Sequence, residues 1–275
     1  MPSAANLSPE KRFMGMFVGP KHSGKTSAAC TFLKKGSQTR LKVLDGDGRI
    51  NGILGCPWVE KDRIDYDYYP PRVAGNTKPF FQRVNDDLEG LLTLIQTGKS
   101  PYETYVGDSA TAFCKNLILD ALPLTHVNDQ GGIKGRRLGT MNLAGIEEYK
   151  FESTGMDAYL SFLRSMPLNV ILTAHVVPKW GYADGKAPGP GEIKERTEVG
   201  EELSLRAKIA ANTSIYFDHI FRFDRKMVGG QERFYVEFIG DLACTSYPNL
   251  TPGHHDITGQ NFYEYLMQKV RGQEK

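Results

Sequence analysis

The chain has 275 residues, of which 40% are hydrophobic and 24% are charged, and its formal net charge is +2. This composition is typical of a globular protein and excludes an intrinsically disordered chain. The small net charge argues against a surface covered with basic side chains for nucleic acid, although it allows a local basic loop.

The N-terminal segment of residues 1–11 is polar and is predicted to be a flexible tail, and residues 12–275 are predicted to form a single domain. The sequence contains neither a secretory signal nor an apolar run of the ~20 residues that a membrane span requires. We therefore expect a cytoplasmic protein without membrane contact. The four cysteines form no C-x-x-C pair and have no histidine at ligand spacing, so no zinc site is expected.

Strands and helices are predicted to alternate along the chain. In the first half, strands are predicted at 12–19, 41–44 and 102–107, helices at 23–35, 80–97 and 109–122, and an irregular segment at 61–78. In the second half, a strand is predicted at 169–177, helices at 155–165, 201–211 and 262–270, loops at 123–150 and 178–200, and a hairpin of two strands at 217–225 and 233–240. This order predicts an α/β fold with a mostly parallel central sheet flanked by helices and an antiparallel C-terminal hairpin.

A phosphate-binding motif follows the first predicted strand. Residues 19–26 read GPKHSGKT and match the P-loop pattern G-x-x-x-x-G-K-[ST], in which backbone N–H groups and a helix N-terminus face the phosphates. Lys25 is expected to reach the β- and γ-phosphates and Thr26 to bind magnesium. A chance match would occur in about 1% of chains of this length. The predicted nucleotide-binding residues are Gly19, Pro20, Lys21, His22, Ser23, Gly24, Lys25, Thr26 and Ser27.

An acidic residue that supports the magnesium ion is expected at the end of a neighbouring strand. Asp108 directly follows the predicted strand at 102–107, and we predict that it binds the metal together with Thr26. The alternative is that Asp108 caps the following helix, and both roles are compatible.

Two further polar residues follow strands and are candidates for catalysis. Asp47 lies between glycines in the turn DGDGR after the second strand, and it is predicted to orient the attacking water, with Asp45 as the second choice. His175 lies in an apolar strand and is predicted to sense the γ-phosphate. The alternatives are a solvated acidic turn and a hydrogen-bonded core histidine. Lys25, Asp47 and His175 are thus the predicted catalytic residues.

The series GPKHSGKT, VLDGD, YVGDSAT and ILTAHV resembles the core of RecA-like ATPases. It is most similar to phage-encoded, core-only P-loop ATPases of the AAA/RecA type, some of which act in single-strand annealing recombination. The resemblance covers about residues 12–240 and implies ATP and Mg²⁺ as ligands, Asp108 as the Walker B aspartate, Asp47 as the catalytic carboxylate and His175 as the sensor. It also implies a homo-oligomer, as a ring or filament, in the cytoplasm of a host cell.

The sequence departs from the family pattern at two places. Asp47 stands where the family has a glutamate, and the shorter side chain is expected to slow hydrolysis. Relatives often carry a lysine and an arginine after the last strand that act across a subunit interface, whereas residues 243–247 here read ACTSY. The possible substitutes are Arg222, Arg225 and Lys226.

The resemblance also implies that the loops at 123–150 and 178–200 face DNA. Basic side chains among glycines favour flexible phosphate contacts, and aromatic side chains allow bases to stack. Glutamates at the end of the second loop oppose this interpretation, and two solvated surface loops are the alternative. The side chains predicted to contact DNA are Lys134, Arg136, Arg137, Lys179, Trp180 and Lys186.

The leading prediction is an ATPase that is stimulated by single-stranded DNA and acts in phage recombination or replication. The first alternative is a nucleotide-driven packaging or remodelling motor with a protein partner, favoured by the missing cation pair and the small net charge. The second alternative is a nucleotide-binding switch with little hydrolysis, favoured by the aspartate at position 47.

Overall fold

The computed structural model describes residues 12–69, 78–127, 137–138, 141–142, 146–182 and 197–272. Its strands are β1 (Met14–Gly19), β2 (Arg40–Asp45), β3 (Ile64–Tyr68), β4 (Tyr102–Asp108), β5 (Arg137–Leu138), β6 (Met141–Asn142), β7 (Asn169–Gly181), β8 (Thr197–Leu203), β9 (His219–Val228), β10 (Gln231–Glu237), β11 (Cys244–Thr245) and β12 (His254–Asp256). Its α-helices are α1 (Lys25–Ala29), α2 (Phe80–Gln96), α3 (Ala110–Val127), α4 (Ile146–Ser165), α5 (Ala207–Tyr216) and α6 (Phe262–Val270). Short 3-10 helices cover Ile50–Gly55 and Lys61–Arg63.

The main sheet has ten strands, and its principal path runs β12-β10-β9-β1-β7-β4-β2-β3. The strands from β9 to β3 along this path are parallel, whereas β10 is antiparallel to β9 and β12 is antiparallel to β10. β8 pairs with the far half of β7, β11 pairs with β9, and β5 and β6 form a separate ladder. The predicted α/β fold with a mostly parallel sheet and an antiparallel C-terminal hairpin is therefore confirmed.

Both faces of the sheet are covered, which explains why β1 is buried along its whole length. Met14, Met16 and Val18 point to one face and join a core cluster with residues of α2, α3 and α4. Phe13 and Phe17 point to the other face and join a cluster with residues of α1 and α6. An apolar run without alternation is the pattern expected of such a doubly covered strand.

The predicted elements at 155–165 and 23–35 differ in length from the observed helices. The helix predicted at 155–165 begins earlier, at Ile146 in α4. The helix predicted at 23–35 is limited to the five residues of α1. It ends because the Thr31 hydroxyl donates to the Ala28 carbonyl at 2.7 Å, and Phe32 and Leu33 turn into the core.

Three predicted segments are wrong because non-local pairing decides their structure. The segment at 61–78, predicted to be irregular, contains β3, which pairs with β2 as a parallel strand. The side-chain ion pairs Arg40–Asp65 and Lys42–Asp67 also join the two strands. Within the loop predicted at 178–200, the two ends pair as β7 and β8. The helix predicted at 201–211 is replaced by the end of β8 and by α5.

The tail predicted at residues 1–11 lies outside the described residues. In the part of the chain that the structure describes, no helix has the length and apolar character needed to cross a bilayer.

Candidate functional site

The carboxyl ends of the parallel strands bring the predicted site residues to one edge of the sheet. In the strand register, Gly19 at the end of β1 lies beside His175 on β7, and Asp45 at the end of β2 lies beside Asp108 on β4. β7 lies between β1 and β4 in the sheet. This edge of an open α/β sheet is where ligands bind in such folds.

The loop of residues 19–24 has the backbone conformation that the P-loop motif predicts. Gly24, before α1, has a φ of 87°, and His22 has a φ of 63°. A Cβ atom at Gly19 would lie 2.2 Å from the carbonyl oxygen of Phe223, so only glycine fits there. The backbone thus curls over the end of β1 toward the N-terminus of α1, and such a curl directs N–H groups to one concave side.

The side chain of Lys25 is only 5% exposed and lies within this loop. Its Nζ atom donates hydrogen bonds to the carbonyl oxygens of Gly19 at 2.9 Å and Pro20 at 2.7 Å. Burial lowers the pKa of Lys25 to about 8, while the charges of Asp108 and Asp47 oppose this lowering. A bound phosphate would act in the same direction as these carboxylates and favour the charged lysine.

Thr26 and Asp108, the two predicted magnesium ligands, are in contact with each other. The Thr26 hydroxyl donates to Asp108 Oδ2 at 2.9 Å, and the Thr173 hydroxyl donates to Asp108 Oδ1. Burial raises the pKa of Asp108, and these two hydrogen bonds oppose the rise. The described residues contain no group of three or more His, Cys, Asp or Glu side chains that could hold a metal. A hydroxyl beside one carboxylate fits Mg²⁺, which binds through few protein ligands together with phosphate and water.

The side chain of Asp47 is held by contacts with Ser109 and His175. Its Oδ2 atom accepts from the Ser109 hydroxyl at 3.0 Å and lies 3.3 Å from His175 Nε2. The hydrogen bond to His175 is the largest cause of the lowered pKa of Asp47, which burial opposes and the Ser109 hydrogen bond reinforces. Asp47 is therefore a carboxylate at neutral pH, and the predicted catalytic residue and the predicted sensor are in direct contact. The peptide bond between Asp108 and Ser109 is cis.

Asp45, the second choice for the catalytic residue, has a different role. It is 1% exposed, and its carboxylate accepts four backbone hydrogen bonds, from the N–H groups of Asp47, Gly48, Arg49 and Ile50, at 2.7 to 3.3 Å. Both oxygens of the carboxylate therefore accept hydrogen bonds from its own loop. Asp45 shapes the turn that presents Asp47 and does not itself face the cavity.

A cavity of about 660 Å³ joins these groups. Sequence reasoning missed several of its lining residues, because most of them come from distant parts of the chain and none of them belongs to a recognised motif. Phe234 on β10 packs against the P-loop, with its ring 3.2 Å from the position of a Cβ on Gly24. The other missed lining residues are Arg49, Gly52, Gly55, Cys56, Trp58, Glu232, Ile257, Gln260 and Phe262.

Three cations were considered as substitutes for the lysine and arginine that act across a subunit interface in relatives. Each of them lies close to an acidic residue of its own chain. Arg222 donates to Glu201 on β8 at 2.7 Å, and Arg225, which lines the cavity, lies 3.1 Å from Glu232. Lys226 is half exposed on β9, 3.8 Å from Asp224. The segment at 243–247 contains β11, which pairs with the start of β9.

The residues predicted to contact DNA are only partly described. Lys134, Arg136 and Lys186 lie outside the described residues, and of Arg137 only the backbone is described, on β5. Lys179 and Trp180 are exposed at the end of β7, where Trp180 is 56% exposed and lies opposite Glu198.

No protein-family model matches the chain, and no curated protein matches it in sequence. Among solved structures it is similar to a KaiC-like protein from the hyperthermophilic archaeon Pyrococcus horikoshii, with 13% identity, 90% of this chain and 86% of that chain covered, and a TM-score of 0.48. It is also similar to the flagellar accessory protein FlaH from Methanocaldococcus jannaschii, with 11% identity, 88% and 83% of the two chains covered, and a TM-score of 0.43. At these identities and TM-scores the similarity carries no functional information, so the function is inferred from the geometry of the site.

Proposed function

We propose that the protein is an ATPase, which binds a nucleoside triphosphate with Mg²⁺ and hydrolyses its terminal phosphate. The observation that carries this proposal is the convergence of three elements on one cavity: the loop with Lys25, the Thr26–Asp108 pair and the Asp47–His175 contact. Each element has the chemistry that phosphoryl transfer requires, namely a phosphate cradle, a metal support and a group that orients water.

The residues of the loop bind and orient the triphosphate. The backbone N–H groups of residues 21–26 and the ammonium group of Lys25 would contact phosphate oxygens, in competition with the carbonyls that Lys25 contacts in the structure. Thr26 and Asp108 would hold Mg²⁺, which neutralises phosphate charge when it is bound. The aromatic rings of Trp58, Phe234 and Phe262 also line the cavity and offer apolar surface for the base.

Asp47 is proposed to orient the attacking water and accept its proton. The water oxygen forms a bond to the γ-phosphorus, the bond from phosphorus to the bridging oxygen breaks, and the diphosphate leaves with that electron pair. A carboxylate with a lowered pKa is ionised at neutral pH and can accept the hydrogen bond of the water. A neutral His175 ring with its hydrogen on Nε2 would donate to Asp47 and hold it in position.

Phosphate release from ATP and from GTP, with and without Mg²⁺, tests this proposal. We expect Mg²⁺-dependent release in the wild type, loss of release and weaker triphosphate binding in Lys25→Ala, and loss of the Mg²⁺ dependence of binding in Asp108→Asn. Lys99→Ala, which changes an exposed cation far from the cavity, is the control and should behave as the wild type. Turnover and triphosphate affinity that Lys25→Ala leaves unchanged would refute the assignment of the loop.

We also propose that the protein acts on single-stranded DNA as a homo-oligomer in phage recombination or replication. The motif series supports the pathway and the oligomer only through its resemblance to RecA-like proteins. The described residues add one supporting feature, since Lys179 and Trp180 extend the same strand that carries His175. A cation and an exposed indole on one strand can neutralise a phosphate and stack on a base.

Binding of a labelled oligonucleotide at low salt, measured by fluorescence anisotropy, tests the DNA contact. We expect Trp180→Ala to weaken binding several-fold, whereas Tyr66→Ala, which removes an exposed ring on the distant edge strand β3, should not. Absence of binding, together with turnover that DNA does not change, would refute the DNA role. If DNA neither binds nor changes turnover but a partner protein copurifies, the motor alternative is favoured. The glutamates of β8 that lie opposite Val177 and Trp180 also favour it.

A further inference from the structure

The cations that line the cavity differ in how their charges are engaged. Lys25 donates to carbonyl oxygens of the loop, and Arg225 pairs with Glu232 at 3.1 Å. The ammonium group of Lys21 and the guanidinium of Arg49 also line the cavity, and within the described part of the chain neither of them makes a hydrogen bond or an ion pair. An exposed arginine in this cavity whose guanidinium is not engaged by any described residue is available for a ligand, and Arg49, unlike Lys21, lies in the same turn as Asp47.

The backbone of Arg49 is nevertheless fixed. Its N–H group donates to Asp45 Oδ1 at 3.3 Å, and the same oxygen accepts from Asp47 at 3.1 Å and from Gly48 at 2.7 Å. Gly48 has a φ of 69°, and the turn requires this left-handed conformation. One buried carboxylate therefore sets the position of both Asp47 and Arg49.

The charge of Arg49 reaches the catalytic end of the cavity. Its positive charge contributes to the lowered pKa of Asp47, although less than the hydrogen bonds of His175 and Ser109. The Arg49 side chain starts from the same turn after β2 as the predicted catalytic carboxylate, whereas Arg225 and Phe234 belong to β9 and β10, which β1, β7 and β4 separate from β2 in the sheet.

We propose that Arg49 contacts the terminal phosphate and supplies, from the same chain, the positive charge that stabilises phosphoryl transfer. This inference rests on the proposed hydrolysis of a nucleoside triphosphate. Negative charge is spread over the phosphate oxygens and the leaving oxygen in the transition state, and a guanidinium can donate two parallel hydrogen bonds to such oxygens. Hydrolysis then needs no cation from a neighbouring subunit, which agrees with the absence of lysine and arginine at residues 243–247.

Steady-state hydrolysis by Arg49→Ala and Arg49→Lys tests the contact. We expect Arg49→Ala to lower kcat by about 10²-fold or more, with a much smaller change in the Kd for a non-hydrolysable triphosphate, and Arg49→Lys to recover part of the loss. Lys61→Ala is the matched control, because Lys61 is an exposed cation that contacts Leu54 and does not line the cavity. An unchanged kcat in Arg49→Ala would overturn the inference while leaving the proposed function intact.

A mixing experiment separates a cation from the same chain from one supplied by a neighbour. Lys25→Ala copies have an inactive site but an intact Arg49, so they could restore Arg49→Ala copies only if Arg49 acted across an interface. We expect no recovery of turnover in any ratio of the two variants, and recovery would overturn the assignment to the same chain. A wild type that neither binds nor hydrolyses triphosphate would instead refute the proposed function itself.

Discussion

Replacing Asp45 with asparagine would keep the shape of a buried side chain and remove its charge. The carboxylate accepts three backbone N–H groups on Oδ1 and the N–H group of Ile50 on Oδ2. An amide has one acceptor oxygen, so its NH₂ group must face at least one of these donors. In the better orientation the amide oxygen keeps the three bonds and the N–H group of Ile50, a residue that is 6% exposed, loses its acceptor.

The cost of this change can be worked from those contacts. A buried donor left without a partner costs about 1–3 kcal/mol, and the three remaining hydrogen bonds lose the extra strength that a charged acceptor provides. Together these effects amount to roughly 2–4 kcal/mol. For a domain of this size that corresponds to a decrease in Tm of roughly 5–15 °C.

Thermal unfolding followed by circular dichroism measures this decrease. Asp65→Asn is the control, because Asp65 is an accessible carboxylate that pairs with Arg40 on the surface and should contribute less than about 1 kcal/mol. We also expect Asp45→Asn to lower turnover roughly 10–100-fold, since the turn that positions Asp47 loosens, while triphosphate still binds the loop with Lys25. Equal Tm values for the two variants would refute the conclusion that Asp45 holds this turn.

Further predictions concern the proposed catalytic residue Asp47 and its contact His175, a buried histidine and the first glycine of the loop. Asp47→Asn should lower kcat by roughly 10²-fold or more with triphosphate binding retained, because an amide cannot accept the proton of water, and rapid turnover in this variant would exclude Asp47 as the base. His175→Ala removes the contact that chiefly lowers the pKa of Asp47, so the acidic limb of the kcat–pH profile should move to higher pH; a limb that stays in place would show that the contact does not tune Asp47. Burial lowers the pKa of His219 from 6.5 to about 4. Between these two pKa values the unfolded chain therefore binds more protons than the folded chain. The free energy of unfolding should fall by about 3 kcal/mol as the pH drops from about 6.5 to about 4. The reasoning would be contradicted if denaturant titrations showed His219→Gln losing as much stability over this pH range as the wild type. Gly19→Ala would place a Cβ 2.2 Å from the carbonyl oxygen of Phe223 and should cost roughly 2 kcal/mol or more, visible as a lower Tm.

The alternation of strands and helices and most of the candidate site could be predicted from the sequence. Periodicity marks the long helix α2 and the buried strands, because burial on one or both faces dictates where apolar residues recur. Asp108 and His175 could be placed beside the P-loop for a simple geometric reason: the carboxyl ends of parallel strands meet at one edge of a sheet.

Other features depend on partners that are far away in the chain. The residues of β8 are rich in glutamate and suit a helix, but they form a strand because β7 continues beyond β1 and offers unpaired backbone groups. The edge strand β3 is specified by its pairing with β2, and sequence patterns do not reveal such pairing.

The amino-acid sequence by itself determined the P-loop, the order of the main strands and the acidic and polar residues that end them, because these depend on local pattern and on the direction of parallel strands. Only the tertiary structure decided which of two neighbouring aspartates faces the cavity. Asp45 and Asp47 have the same side chain and differ only in the groups that surround it. Asp45 meets four backbone N–H groups and Asp47 meets His175 and Ser109. The unengaged guanidinium of Arg49 is likewise a property of the fold, because it depends on where the described carboxylates lie: none of them is within ion-pair distance of Arg49, although Asp47 is near enough to feel its charge.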